Sequence, residues 1–200
     1  MPSDLRVCFV GDSFVAGVGD PEHLGWVGRL SGRTHREQQP LTSYNLGVRL
    51  QTSRDIRDRW HRECALRLPA GCDARVVFSF GVNDTTWENG GPRVDPADSA
   101  AHLAALLRQA DESGWRALAV GPPPVADERQ NGRTALLDGR FADVCRDAGV
   151  GYLSVFDPLL ASEVWMAQVR DGDGAHPAGE GYAEYARLVQ PHWHGWLGRG

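Results

Sequence analysis

Five short apolar runs, separated by longer amphipathic stretches, constrain this chain more than any other feature of its sequence. The runs are Leu5–Val10, Ser43–Leu46, Arg75–Phe80, Ala117–Val120 and Tyr152–Phe156. Most are continuous rather than alternating, as expected of strands covered on both faces. The stretches between them carry helical spacing. Ile56, Trp60 and Cys64 recur every fourth residue, and Ala100, Leu103, Ala104 and Leu107 repeat the pattern after Asp95–Pro96. That dipeptide is a start signal, an N-cap followed by Pro at the first helical position. Strand–helix alternation of this kind predicts an α/β fold with a mainly parallel sheet. No repeat, low-complexity tract or linker divides the 200 residues, so one domain spanning residues 1–200 is expected. Asn89–Pro92 and Gly121–Pro124 read as loops.

Composition removes several function classes. All 21 basic residues are Arg, which excludes Schiff-base lysine chemistry and the lysine-bearing phosphate loop. The net charge of −5 and the absence of an Arg cluster argue against nucleic-acid binding. No run approaches the roughly 20 apolar residues of a membrane span. Met1–Asp4 is short and polar, and Leu5–Val10 is too short for a signal core, so a cytoplasmic location is expected. Cys8, Cys64, Cys72 and Cys145 are scattered, with neither C-x-x-C nor metal spacing. They read as reduced thiols, and no metal is expected.

In open parallel sheets, sites form at the carboxyl ends of strands. Four short motifs fall there or just before the last helix. Gly11-Asp12-Ser13-Phe14 follows the first run, and puts a serine hydroxyl and backbone N–H at a strand-to-helix turn. Asn45-Leu46-Gly47 ends the second run, with a glycine whose N–H a ligand can approach. Gly81-Val82-Asn83-Asp84 follows the third and offers an Asn amide to a developing oxyanion. Asp173-Gly174-Ala175-His176-Pro177 supplies a His, the usual general base near neutral pH, and an Asp able to fold back and hold its tautomer. Each motif alone is ordinary turn chemistry. Together they hold a nucleophile, a base, an orienting carboxylate and oxyanion donors, the parts that acyl transfer needs.

In these four blocks the chain resembles the SGNH hydrolases, or GDSL-type esterases and lipases. The blocks keep the family's order from Gly11 to Pro177, and Gly121-Pro122-Pro123-Pro124 also resembles the family. Phe14 stands where the family's name has Leu, and Val82 where Thr is common. The resemblance implies a three-layer α/β/α sandwich, flavodoxin-like, with a five-stranded sheet. It implies Ser13, His176 and Asp173 as a catalytic triad, and Ser13, Gly47 and Asn83 as the oxyanion hole. It also implies a small-molecule carboxylic ester as substrate and no cofactor. Small or short-chain acyl groups are favoured. Phe14, Trp87 and Pro123 are expected beside the substrate, Trp165 and Met166 at a lip, and Asp12 and Asp84 as braces of the site loops.

Other motifs fail. Gly-x-Ser-x-Gly is absent around Ser13. Gly17-Val18-Gly19 lacks the third glycine of a dinucleotide loop. Asp171-Gly172-Asp173-Gly174 lacks the glycine and glutamate of a calcium loop at their positions. His23, His35, His61, His102, His192 and His194 show no metal spacing. Three alternatives stay open: an acyltransferase, a carbohydrate O-acetyl esterase, and a non-catalytic binding protein on the same fold. Nothing in the sequence specifies an oligomeric state.

Overall fold

A computed structural model describes residues 4–37 and 40–198. In chain order it contains β1 (Leu5–Gly11), α1 (Ser13–Ala16), α2 (Gly25–Arg36), β2 (Thr42–Gly47), α3 (Ser53–Ala65), β3 (Asp73–Ser79) and α4 (Val82–Thr85). A small hairpin, β4 (Trp87–Glu88) and β5 (Gly91–Pro92), follows. The chain continues with α5 (Pro96–Glu112), β6 (Arg116–Val120), α6 (Glu128–Asp147), β7 (Gly151–Leu153), α7 (Phe156–Leu160), α8 (Glu163–Asp171) and α9 (Gly179–Trp196). Five strands form one parallel sheet in the order β2-β1-β3-β6-β7. With the hairpin set aside, this is the flavodoxin-like order. No helix among the described residues is long and apolar enough to cross a membrane.

Alternation along each strand divides the core between the two faces of the sheet. Val7 and Phe9 of β1, with Val77 of β3, pack under α2, α8 and α9 beside Trp26, Trp165 and Trp193. Cys8, Val10, Val76 and Phe78 point the other way, onto Ile56 and Trp60 of α3, Leu103 and Leu106 of α5, and Leu137 and Phe141 of α6. The three-layer sandwich therefore follows from period-2 side chains covered by helices on both sides.

The helix starts are written locally. Asp95 accepts from the Ala97 N–H at 2.8 Å ahead of Pro96, as expected. Thr52 and Asp55 form a capping box at α3. Ile56, Trp60 and Cys64 make its buried stripe. On α5 the buried face is Ser99, His102, Leu103, Leu106, Leu107 and Ala110; Ala100 and Ala104 lie at its half-buried edge.

One strand stands outside the doubly covered pattern, and two expectations need correction. β2 is an edge strand with Thr42, Ser43 and Asn45 exposed, since among the described residues only β1 pairs with it. The last run ends as a strand at Leu153, and Phe156 opens α7, where Pro158 sits in a first turn that has no intrahelical use for its missing N–H. Asn89–Pro92 is a tight hairpin rather than a plain loop. Asn89 and Gly90 both take positive φ, 51° and 84°, the requirement of the turn that best matches strand twist.

Trp193 shows how tightly α9 is held. It stacks on Phe9 with ring centroids 5.4 Å apart, and its indole N–H donates to Thr34 Oγ1 at 2.8 Å. We expect Trp193→Ala to cost about 3–5 kcal/mol in urea unfolding. A loss under about 1 kcal/mol would show that α9 is not anchored by this contact.

Candidate active site

The turn that carries Ser13 is built by backbone crowding. A Cβ on Gly11 would lie 2.0 Å from the Ser79 carbonyl oxygen, so only glycine lets β1 end beside β3. Asp12 is the N-cap of α1, and its Oδ1 accepts from the Phe14 N–H at 3.0 Å. Ser13 then opens the helix, where first-turn N–H groups have no intrahelical acceptor. Gly17, at φ 78°, ends it after one turn.

Ser13, His176 and Asp173 lie in one hydrogen-bonded chain. Ser13 Oγ is 2.7 Å from His176 Nε2, and His176 Nδ1 is 2.7 Å from Asp173 Oδ2. The carboxylate assigns the ring proton to Nδ1, which leaves Nε2 to accept the serine proton. The Asp-His loop braces itself. Asp173 Oδ1 accepts from the Ala175 and His176 N–H groups at 2.9 and 2.8 Å, and Gly174 takes φ 82° between them. Partial burial pushes the Asp173 carboxyl up, but the bonds from His176 and Ala175 outweigh it and bring it down to about 2. The carboxylate is therefore ionised throughout the neutral range. The loop is tied outward by the Ala126 N–H, which donates to the Gly174 carbonyl at 2.8 Å. Phe14 lies beneath the imidazole, 4.8 Å between ring centres.

Asn83 sits in α4, entered through Gly81 at φ 129°. Its Nδ2 donates to the Gln51 carbonyl at 3.0 Å and faces Asp12 Oδ2 at 3.5 Å. Asn83 therefore stands beside the residue that precedes Ser13. At Gly47 the missing side chain serves packing first: a Cβ would lie 2.2 Å from the Ala16 nitrogen and 2.8 Å from the Asp12 carbonyl oxygen. The Gly47 N–H donates to Asn45 Oδ1 at 3.0 Å, and Asn45 Nδ2 donates to the Val15 carbonyl at 2.7 Å.

Of the residues expected beside a substrate, Phe14 and Pro123 are buried and Trp87 is 57% exposed. Trp87 carries the Arg133 guanidinium 5.5 Å above its ring. Trp165 and Met166, expected at a lip, are buried instead. Trp165 stacks near Phe14 and donates its indole N–H to the Pro124 carbonyl at 3.0 Å, which makes it a core support of the Pro-rich loop. Asp84 is fully engaged as a brace. Its Oδ1 accepts from the Ser53 N–H and its Oδ2 from the Ser99 hydroxyl, both at 2.7 Å.

Arg59 escaped the sequence reading. Its guanidinium donates to the Gly11 carbonyl at 3.0 Å and the Leu46 carbonyl at 2.9 Å, and so fixes the ends of β1 and β2 together. Nothing local marks it, since one Arg among many on an amphipathic helix reads as solvated. Asn45 stood within a motif already singled out, but its pair of hydrogen bonds, to the Val15 carbonyl and from the Gly47 N–H, depends on the neighbouring α1.

The sequence model of the GDSL-like lipase/acylhydrolase family matches residues 9–184, a span that contains all four motifs. The chain belongs to the GDSL-like lipase/acylhydrolase family. This member is accordingly a hydrolase acting on ester bonds. Solved structures share its fold. A lipase/acylhydrolase from Enterococcus faecalis superposes with TM-score 0.79 at 18% identity, covering 96% of each chain. The psychrotrophic esterase EstA from Pseudoalteromonas sp. gives 0.75 at 17%, covering 97% of this chain and 99% of its own. A catalytic mutant of an acetylxylan esterase from Geobacillus stearothermophilus gives 0.77 at 15%, covering 96% and 94%. No curated protein sequence matches the chain.

Two acids, Asp12 beside Ser13 and Asp84 beside Asn83, are buried. Burial pushes the Asp12 carboxyl up to about 7, against the Phe14 N–H that lowers it and with nearby Asp84 adding to the rise. Burial also raises Asp84, opposed by its bonds to Ser53 and Ser99. A cleft of about 490 Å³ between the hairpin segment and α6, lined by Thr85, Val94, Ser99, Arg133, Leu137 and Arg140, contains none of Ser13, Gly47, Asn83 or His176. Because the folded value of Asp12 lies above 3.8, its contribution to stability is full below the ordinary carboxylate range. That contribution is lost as pH rises through about 7. We expect the carboxyl carbon resonance that disappears in Asp12→Asn to titrate near pH 7 in the folded protein. Titration in the ordinary carboxylate range would refute the burial argument.

Proposed function

We propose that this protein is a serine esterase that cleaves carboxylic esters through an acyl-enzyme, with small or short-chain acyl groups favoured. The observation that carries the reading is the Ser13–His176–Asp173 chain, with both links at 2.7 Å. Ser13 Oγ attacks the ester carbonyl carbon while His176 Nε2 takes the hydroxyl proton. The carbonyl π electrons move to oxygen and form a tetrahedral oxyanion. Collapse breaks the bond to the alkoxy group, which leaves with the proton from His176. Water repeats the sequence on the acyl-enzyme, releases the acid and restores Ser13. Asp173 stays ionised and holds the imidazolium.

The Ser13 N–H, the Gly47 N–H and the Asn83 amide are the proposed oxyanion donors. The Asn83 Nδ2 donates to the Gln51 carbonyl at 3.0 Å and otherwise makes a long 3.5 Å contact to Asp12, which supports it as a donor with an N–H to offer the oxyanion. The Gly47 N–H already has Asn45 as partner and must share or exchange it.

Hydrolysis of p-nitrophenyl esters tests the reading. Activity and fluorophosphonate labelling are expected in the wild type and absent from a folded Ser13→Ala. Asn83→Ala should lower kcat/KM by about 10²–10³, or roughly 3–4 kcal/mol of transition-state binding. Full activity in Ser13→Ala would refute the nucleophile, and an unchanged kcat/KM in Asn83→Ala would remove it from the oxyanion hole. Product analysis with added alcohol separates hydrolysis from acyl transfer.

A further inference from the structure

Two loops that follow the proposed oxyanion donors expose large apolar side chains. Val48 and Leu50 follow Gly47 and are 39% and 66% exposed, and Trp87 follows Asn83 at 57%. Leu50 adopts φ 65°, the left-handed region that leucine rarely enters. Such strain persists only where the surroundings over-determine it, and it collects at ligand sites. Here the peptide groups around Leu50 are pinned from outside the loop. Arg93 donates to the Leu50 carbonyl at 3.0 Å, Asn83 donates to the Gln51 carbonyl at 3.0 Å, and the Val48 N–H donates to the Gly11 carbonyl at 3.1 Å. The result is a leucine held out toward solvent at the carboxyl end of the sheet.

The layers of the fold say which half of an ester would meet it. His176 enters just ahead of α9, from the face covered by α2, α8 and α9. The leaving alkoxy group takes its proton from His176 and so lies on that side. The Val48–Gln51 loop runs into α3, and the hairpin bearing Trp87 runs into α5, both on the opposite face.

We propose that Leu50, held in its strained conformation by Arg93, forms with Val48 and Trp87 the seat of the acyl group and selects short apolar chains such as butyryl over acetyl. This rests on the esterase reading above. Apolar side chains at such a seat gain from each methylene of the acyl chain that they cover.

The test compares kcat/KM for p-nitrophenyl acetate and butyrate in the wild type, Leu50→Asn and Arg93→Ala. Asn tolerates the left-handed backbone while removing the apolar surface. The wild type is expected to prefer butyrate. Leu50→Asn should lower the butyrate-to-acetate ratio about fivefold, the effect of uncovering one or two methylene groups. Arg93→Ala should lower it in the same direction. The labelling rates of a methyl and a butyl fluorophosphonate give the same ratio without turnover, and melting temperatures show that the variants fold. An unchanged ratio in Leu50→Asn, by either readout, overturns the inference and leaves the esterase reading intact. A wild type that neither hydrolyses these esters nor labels at Ser13 overturns the esterase reading, and the inference with it.

Discussion

Gly11 sits in register with Gly47 on one side and Ser79 on the other, where three parallel backbones converge with no room for a Cβ. Gly11 is closed off by the Ser79 carbonyl, and Gly47 by the backbone of α1. This crowding sets the exit of the chain from β1, and with it the position of Ser13. Arg59 clamps the same place from α3 by bonding the carbonyls of Gly11 and Leu46. Backbone contact therefore sets the position of the turn, and moving it would require the sheet ends to separate.

Polar groups buried around that turn form a second layer of constraint. Asp12 holds the Phe14 N–H and faces Asn83, while Asp84 draws the start of α3 and Ser99 of α5 onto the end of β3. A buried carboxyl is tolerable only when its oxygens are bonded, so these contacts specify how the three segments meet. By contrast the Asp-His loop needs little from the core. Its Asp173 bonds its own backbone and its own histidine, and the half-exposed carboxylate stays charged. The remaining problem, placing that loop against Ser13, is solved from outside by Ala126 on one side and by Gly19 on the other. A Cβ on Gly19 would strike the Pro177 carbonyl at 2.6 Å.

Where sequence reasoning succeeded, the information was local or periodic. Strand faces follow alternation, the α5 start follows Asp95–Pro96, and the four motifs follow the ends of the apolar runs. Where it fell short, the missing information was three-dimensional. Trp165 looked like a rim residue because it lies shortly before the Asp-His loop, yet α8 turns it into the core, where it carries the Pro124 carbonyl. Phe156 continued an apolar run in sequence but was claimed by a helix start. The clamping role of Arg59 has no local mark, because the carbonyl oxygens it bonds lie at the ends of strands 48 and 13 residues away.

By itself the sequence determined the alternation of strand and helix, the layered parallel sheet and the membership of the chain in its family, because periodicity and short turn motifs are written within a few residues of each other. Tertiary structure alone decided the 2.7 Å approach of His176 to Ser13 across 163 residues, the bond that ties Asn45 to Gly47 beneath α1, and the strained, outward Leu50. Each of these depends on which distant backbone happens to lie alongside, and on whether a Cβ, a carbonyl or a guanidinium occupies the space between.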